Sequence, residues 1–255
     1  MVLVLTPLQG IPLIRPGDDL AEVILTAIRS QGLELVNNDI LVLAQKIVSK
    51  SENRFTSLSE ITPSKEANSL ALECNKDPRL VELILHESRR VLRVRPGTII
   101  VEHRLGFICA SAGIDHSNVL AEEYGGKEVV LLLPEDPDAS AQKVRRGVEM
   151  ASGVRIGVLI IDSHGRAWRL GTSGVTIGLS GLPGLVDLRG QPDLFGFQLQ
   201  ITQVGAADEL AAASSLVMGQ AAEGTPVVHV RGFPYMLREG KMGELLRPED
   251  EDMFR

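Results

Sequence analysis

Residues 157–174 read GVLIIDSHGRAWRLGTSG. Within them the run VLII at 158–161 is short and β-branched, which predicts a buried strand. Asp162 follows where that strand is expected to leave the core, and Ser163, His164 and Gly165 read as the turn that aims its carboxylate into a crevice. Loops at strand ends are common seats of binding and catalysis. Arg166 and Arg169 lie just beyond and supply two guanidiniums able to meet an anion. The stretch therefore predicts a metal or phosphate site; the plainer alternative is an acidic turn followed by two solvated arginines.

The surrounding chain has 255 residues, 44% hydrophobic and 23% charged, enough to bury a sizeable core as one large domain or two interleaved lobes. A formal net charge of -7 argues against general affinity for nucleic acid, so anionic ligands need a local cationic pocket or a metal. Cys74 and Cys109 have neither zinc-type nor redox spacing and make no disulfide scaffold, which points to a reducing cytoplasm. The N-terminus is apolar, but no basic residues precede it, and Pro7, Gly10 and Pro12 interrupt it. No targeting or membrane segment is expected there.

A second carboxylate lies upstream. Residues 98–101 and 107–110 read as a strand pair feeding Asp115, with Ser117 and Asn118 close behind; an Asx-type turn is the alternative there. Residues 129–133 read as a strand, and PEDPDASAQKVRRGVEMASG as a helix with an acidic start that carries Lys143, Arg145 and Arg146. Earlier still, helices are expected to open at Thr62-Pro63-Ser64 and at Asp77-Pro78, the latter repeating Leu80, Leu83, Ile84 and Leu92. His86 falls in that pattern and reads as structural. A buried strand at 40–43 precedes Lys46, Lys50 and Arg54, which read as a solvated basic edge or a phosphate clamp. At the start, a strand at 2–5, a tight loop at Gly10-Ile11-Pro12-Leu13 and a helix capped by Asp18 or Asp19 and running to about Ser30 are predicted.

Downstream, strands are expected at 175–179 and 197–203 and a helix at 206–218, then the glycine-bounded loop GQAAEGTP and the strand VVHV. That loop can cradle phosphate, although GxxxxGK[ST] is absent. Two carboxylates at separate strand ends, with Asn118 and Ser163 as neighbouring oxygen donors, suit Mg2+ or Mn2+ bridging nucleotide phosphates. Pattern alone leaves open a phosphoryl-transfer enzyme, a metal-dependent hydrolase and a nucleotide-binding module.

The ordered blocks GIDHSN, LLPEDPDASAQKVR, GVLIIDSHGRAWRLGTSG, ADELAAASSLVMGQ and EGTPVVHVRG resemble the coenzyme F420-0:L-glutamate ligase family, from Gly10 to about Gly232. The resemblance implies an α+β fold of mixed α and β structure with an interwoven, two-lobed subunit. It also implies one ligase domain over 1–255 without the nitroreductase-like domain that follows in some members. The implied reaction adds L-glutamate to the deazaflavin precursor coenzyme F420-0 through γ-glutamyl amide bonds, using GTP and divalent metal, in a cytoplasmic homodimer. Its chemistry is phosphorylation of a carboxylate to an acyl phosphate, then attack by the glutamate amine. The alternative is a metal-dependent phosphohydrolase or nucleotide-binding regulator on the same scaffold.

Carried over by position, Asp115 and Asp162 match the family's metal-binding aspartates, and Ser163 and Gln220 match ligands of a second metal, implying two Mg2+ or Mn2+ per site with K+ as a further candidate cation. Gly10, Ile11, Pro12, Leu13, Lys50 and Asn118 match segments that bind the guanine nucleotide. So do Met218, Gly219, Gln220, Ala221, Ala222, Glu223, Gly224 and Thr225. Arg166 and Arg169 are the candidate catalytic cations, orienting phosphate or a glutamate carboxylate. Some relatives carry Thr-Asn in place of Ser163-His164, Glu in place of Gln220 and Ser-Thr in place of Gln45-Lys46. A neutral Gln220 is a weaker cation ligand than a carboxylate.

Overall fold

The computed structural model describes residues 2–116 and 128–253. Its strands are β1 (Val4–Pro7), β2 (Ile40–Ala44), β3 (Phe55–Ser57), β4 (Ser88–Arg95), β5 (Thr98–His103), β6 (Ile108–Ala110), β7 (Val129–Leu131), β8 (Gly157–Arg166), β9 (Arg169–Ser180), β10 (Val186–Asp187), β11 (Gln203–Val204) and β12 (Val227–Arg231). The helices are α1 (Leu20–Ser30), α2 (Gln45–Ser51), α3 (Lys65–Cys74), α4 (Pro78–His86), α5 (Pro137–Ser152) and α6 (Ala206–Met218). Helices and mixed sheets together make an α+β fold. Among the described residues no helix is long and apolar enough to cross a membrane.

Five strands form the main sheet in the order β1-β12-β2-β8-β9. Only β2 and β8 run parallel; the other neighbours are antiparallel. The central strands read as continuous apolar runs because both faces are covered. Leu41, Leu43, Val158 and Ile160 pack with α1 and α5 on one face, while Ile40, Val42, Leu159 and Ile161 pack with α6 on the other. Asp19, Asp77 and Asp136 cap α1, α4 and α5 through side-chain oxygens, and Ser64 caps α3, satisfying N–H groups the helix leaves open.

A second core gathers α3, α4, the β4-β5-β6 sheet and the β3-β7 pair around Ile84, Ile99, Val101 and Val130. Phe107 packs against this core and against the α1/α5 face of the main sheet, so it marks the seam between the two lobes.

Three expectations need correction. Leu92 belongs to β4 and not to the preceding helix, because α4 ends at His86 and the chain turns back to pair with β5. Residues 197–202 form no continuous strand: Gln198 makes an isolated bridge with Pro192, and the strand is confined to Gln203 and Val204, which pair with Asp187 and Val186. Asp162 does not sit at a strand end. β8 continues through Ser163, His164 and Gly165 to Arg166, since β9 satisfies its backbone along a long hairpin whose bend lies at Ala167 and Trp168. What ends near Asp162 is the burial, not the pairing.

Candidate active site at the sheet edge

β2 and β8 are parallel and Ala44 pairs with Ile161, so the residues following both points, Gln45 and Asp162, emerge side by side. β12 runs the opposite way, so the loop before it reaches the same edge, and β1, antiparallel to β12, sends the segment after Pro7 there as well. Four stretches remote in sequence thus converge, as expected at the carboxyl ends of parallel strands. They enclose a cavity of about 470 Å3 lined by Ile11, Pro12, Leu13, Gln45, Lys46, Lys50, Asp162, Ser163, Met218, Gly219, Gln220, Ala221, Ala222, Glu223, Gly224 and Thr225, among others.

Its walls differ in chemistry. Residues 11–14 form an apolar side. Opposite in character, α2 presents Lys46 and Lys50 four residues apart, hence on one helix face. The loop after α6 opens at Gly219, whose φ of 79° and ψ of 174° is a region that only glycine occupies freely. Thr225 Oγ1 donates to the Met218 carbonyl at 2.8 Å and Glu223 accepts from the Ala221 N–H at 2.8 Å, closing the loop on itself.

Asp115 reaches this edge from the second lobe. Its backbone exchanges two 2.9 Å hydrogen bonds with Leu131, which fix its position. Its Oδ2 accepts from Gln45 Nε2 at 2.6 Å, and its Oδ1 lies 3.4 Å from Lys46 Nζ. Burial raises its pKa above the ordinary carboxylate value; Lys46 opposes that rise, and the negative charge of Asp162 adds to it. Asp162 in turn is met by His164 Nε2 at 3.1 Å from Oδ2. The Asp162 charge also reaches Cys109, whose thiol burial pushes up to about 12, leaving it inert.

Ser163 Oγ donates to Gln220 Oε1 at 2.8 Å, and Gln220 Nε2 donates to Ser215 Oγ at 2.9 Å, tying β8 to the loop after α6. Asp115, Asp162, Ser163 and Gln220 offer hard oxygen donors, and the Asp162 charge adds to the cost of ionising Asp115, which a cation offsets; this donor set fits Mg2+ or Mn2+. No group of three His, Cys, Asp or Glu side chains at metal-holding distance occurs among the described residues, so carboxylates alone do not complete a coordination shell.

Of the residues singled out in the sequence, Ile11, Pro12, Leu13, Lys50, Asp162, Ser163 and the eight from Met218 to Thr225 line one cavity. Gly10, with φ 74°, turns the chain just before it. Asp115 adjoins it through Gln45 and Lys46. Asn118 lies outside the described residues. Arg166 and Arg169 pair across the exposed hairpin tip and are not among the cavity-lining residues. At about 3.3 Å per residue, continued strand pairing carries Arg166 roughly 13 Å from Asp162. Sequence reading noted Gln45 and His164 as departures from relatives and gave them no chemical role, and it missed Phe55 and Ser215. Only the four-residue lysine spacing offered a signal for that wall; the others are recruited by long-range packing.

The F420-0:Gamma-glutamyl ligase family model matches residues 10–232. The chain is 46% identical over 249 residues to the Coenzyme F420:L-glutamate ligase of Methanothermobacter thermautotrophicus, covering 97% of this chain and 96% of that protein. It is 46% identical over 255 residues to the enzyme of that name from Methanopyrus kandleri, covering 97% of each. The one from Archaeoglobus fulgidus is 41% identical over 249 residues, covering 98% of this chain and 95% of that protein. Matched over almost its whole length in both sequence and order of segments, the chain belongs to the F420-0:Gamma-glutamyl ligase family.

Proposed function

We infer that this chain is a ligase that adds L-glutamate to coenzyme F420-0 through γ-glutamyl amide bonds, with GTP as co-substrate and a divalent metal. The observation that carries the reading is the convergence of residues 11–14, Lys50, Asp162 and residues 218–225 on one cavity, in a chain whose relatives bear the name Coenzyme F420:L-glutamate ligase.

In this reading the apolar wall at 11–14 receives the flat face of the guanine base. Lys50 offsets phosphate charge. Asp115 and Asp162 would hold Mg2+ or Mn2+, with Ser163 and Gln220 as neutral oxygens beside them. Bound there, a divalent cation supplies charge neutralisation at the phosphates and polarises the transferring phosphoryl group. The terminal carboxylate of the precursor attacks the γ-phosphorus, GDP leaves, and an acyl phosphate forms. The glutamate amine then attacks the acyl carbon, inorganic phosphate leaves, and the amine proton passes to solvent. The protein's part is to orient three anionic partners and exclude water that would hydrolyse the acyl phosphate.

The experiment is incubation with GTP, Mg2+ or Mn2+, L-glutamate and coenzyme F420-0, followed by mass spectrometry. A glutamate-sized mass gain with GDP release is expected; GDP release without the gain leaves a hydrolase and rejects the ligase.

The working unit is a homodimer in this reading. Trp168 and Leu170 at the hairpin tip are 92% and 98% exposed, and Leu194 and Phe195 97% and 95%, large apolar side chains that a partner subunit would cover. Light scattering tests it: a 27.6 kDa species that stays active across dilution rejects the dimer.

A further inference from the structure

The two aspartates of the site are held in different ways. Both oxygens of Asp115 have partners in the protein, Gln45 Nε2 at 2.6 Å and Lys46 Nζ at 3.4 Å. Asp162 meets His164 through Oδ2, and its side chain lines the cavity, which Asp115 does not. The ammonium is delivered to Asp115 by a fixed element. α2 starts at Gln45, directly after β2, and buried Gln45 is itself held by Ser49 Oγ, which donates to Gln45 Oε1 at 2.9 Å. Lys46 and Asp115 are both mostly withdrawn from solvent, with 29% and 25% of their side chains exposed, so their attraction is screened less than that of a surface pair.

The other two candidate metal donors among the described residues, Ser163 and Gln220, carry no charge. Gln220 is neutral, and both ends of its amide are engaged, Oε1 by Ser163 and Nε2 by Ser215. Two carboxylates with one ammonium against them leave a single net negative charge, suited to one divalent cation. A second divalent ion at Ser163 and Gln220 would meet the Lys46 ammonium across Asp115 and would find only neutral side-chain oxygens at those two positions.

We propose that this site holds one divalent cation, and that the Lys46 ammonium, paired with Asp115, is a built-in second positive charge in place of another metal. The proposal rests on the ligase reading for the presence of a divalent cation at all. It departs from the two metals that the family resemblance implies.

The test is titration of MnCl2 into the intact protein in the presence of GDP, followed by calorimetry and by the electron paramagnetic resonance signal of free Mn2+. One Mn2+ per protomer is expected for the wild type. Lys46→Met, which keeps the stem and removes the charge, is expected to bind Mn2+ about tenfold more tightly or to take up a second ion, as one like charge is withdrawn from the site. Lys46→Arg keeps the charge and is expected to match the wild type. If Lys46→Met fails to give a folded melting transition, Lys46→Gln replaces it with the same expectation. Two Mn2+ per wild-type protomer, or unchanged binding in the neutral variants, overturns the proposal and leaves the ligase reading standing. No Mn2+ binding by the wild type removes the metal from both.

Discussion

His164 Nε2 lies 3.1 Å from Asp162 Oδ2, two residues along the same strand, while the other side of the imidazole packs on Phe107 with ring centroids 5.2 Å apart. A carboxylate only accepts, so Nε2 carries the proton in this contact. Phe107 stacks in turn on His103, at 5.0 Å and 9°. The orientation of a cavity carboxylate is thereby fixed by a ring column at the seam of the two lobes.

Removing that donor loosens Asp162 without removing it. His164→Phe is expected to keep the ring packing and lower metal-dependent turnover by about 10- to 100-fold, mostly through a higher KM for Mn2+. His164→Gln, whose Nε2 reaches nearly the same place, is expected to recover most of the loss. Near wild-type kinetics in His164→Phe with a loss in His164→Gln would show that ring shape, not the hydrogen bond, is what matters.

Asp162 is expected to matter more to chemistry than to folding. Asp162→Asn retains an oxygen for His164 and the shape of the side chain while removing charge, so turnover should fall by orders of magnitude. Melting without metal should stay or rise, because the Asp162 charge is one of the causes that raise the Asp115 pKa. A large drop in melting temperature with near-normal turnover per folded molecule would remove Asp162 from the site.

Burial pushes His103 down to about 4 from 6.5, and its Nδ1 accepts from the Leu105 N–H at 3.0 Å. Below pH 6.5 the unfolded chain takes up a proton that the folded protein refuses, so stability falls with pH from 6.5 to about 4 and the loss is complete there. The contribution is on the order of 3 kcal/mol. Denaturant unfolding across that range should show the slope, and His103→Asn, which keeps an acceptor for Leu105 but does not titrate, should flatten it.

Gly174 and Gly178 let two helices approach β9. A Cβ on Gly174 would stand 2.5 Å from the Ala211 carbonyl oxygen on α6, and one on Gly178 would strike the Pro137 backbone at the start of α5. Each alanine variant is expected to cost about 2–3 kcal/mol. Only Gly174→Ala displaces the helix that carries Ser215 and Met218 to the cavity, so only it should also raise the KM for GTP. Parallel measurement of melting and KM in the two variants separates these effects.

The elements with strong local signals were legible in the sequence. Asp19, Ser64, Asp77 and Asp136 announce their helices, and the apolar runs at 40–43, 158–161 and 227–230 announce strands, because capping and burial act within a few residues. The ordered blocks likewise pointed to the family and to the segments that line the cavity. What only the tertiary structure decided is how those segments meet. The extension of β8 past Asp162 depends on pairing with β9, and Arg166 is drawn away from the cavity by that pairing. The partners of Asp115 come from a helix some seventy positions earlier, Gln45 and Lys46; the register of β2 on β8 sets that helix beside Asp162, and the bridge to Leu131 brings Asp115 to it. Hydrogen bonds and ion pairs between distant segments leave no periodicity in a sequence, since their geometry exists only once the sheet edge has formed.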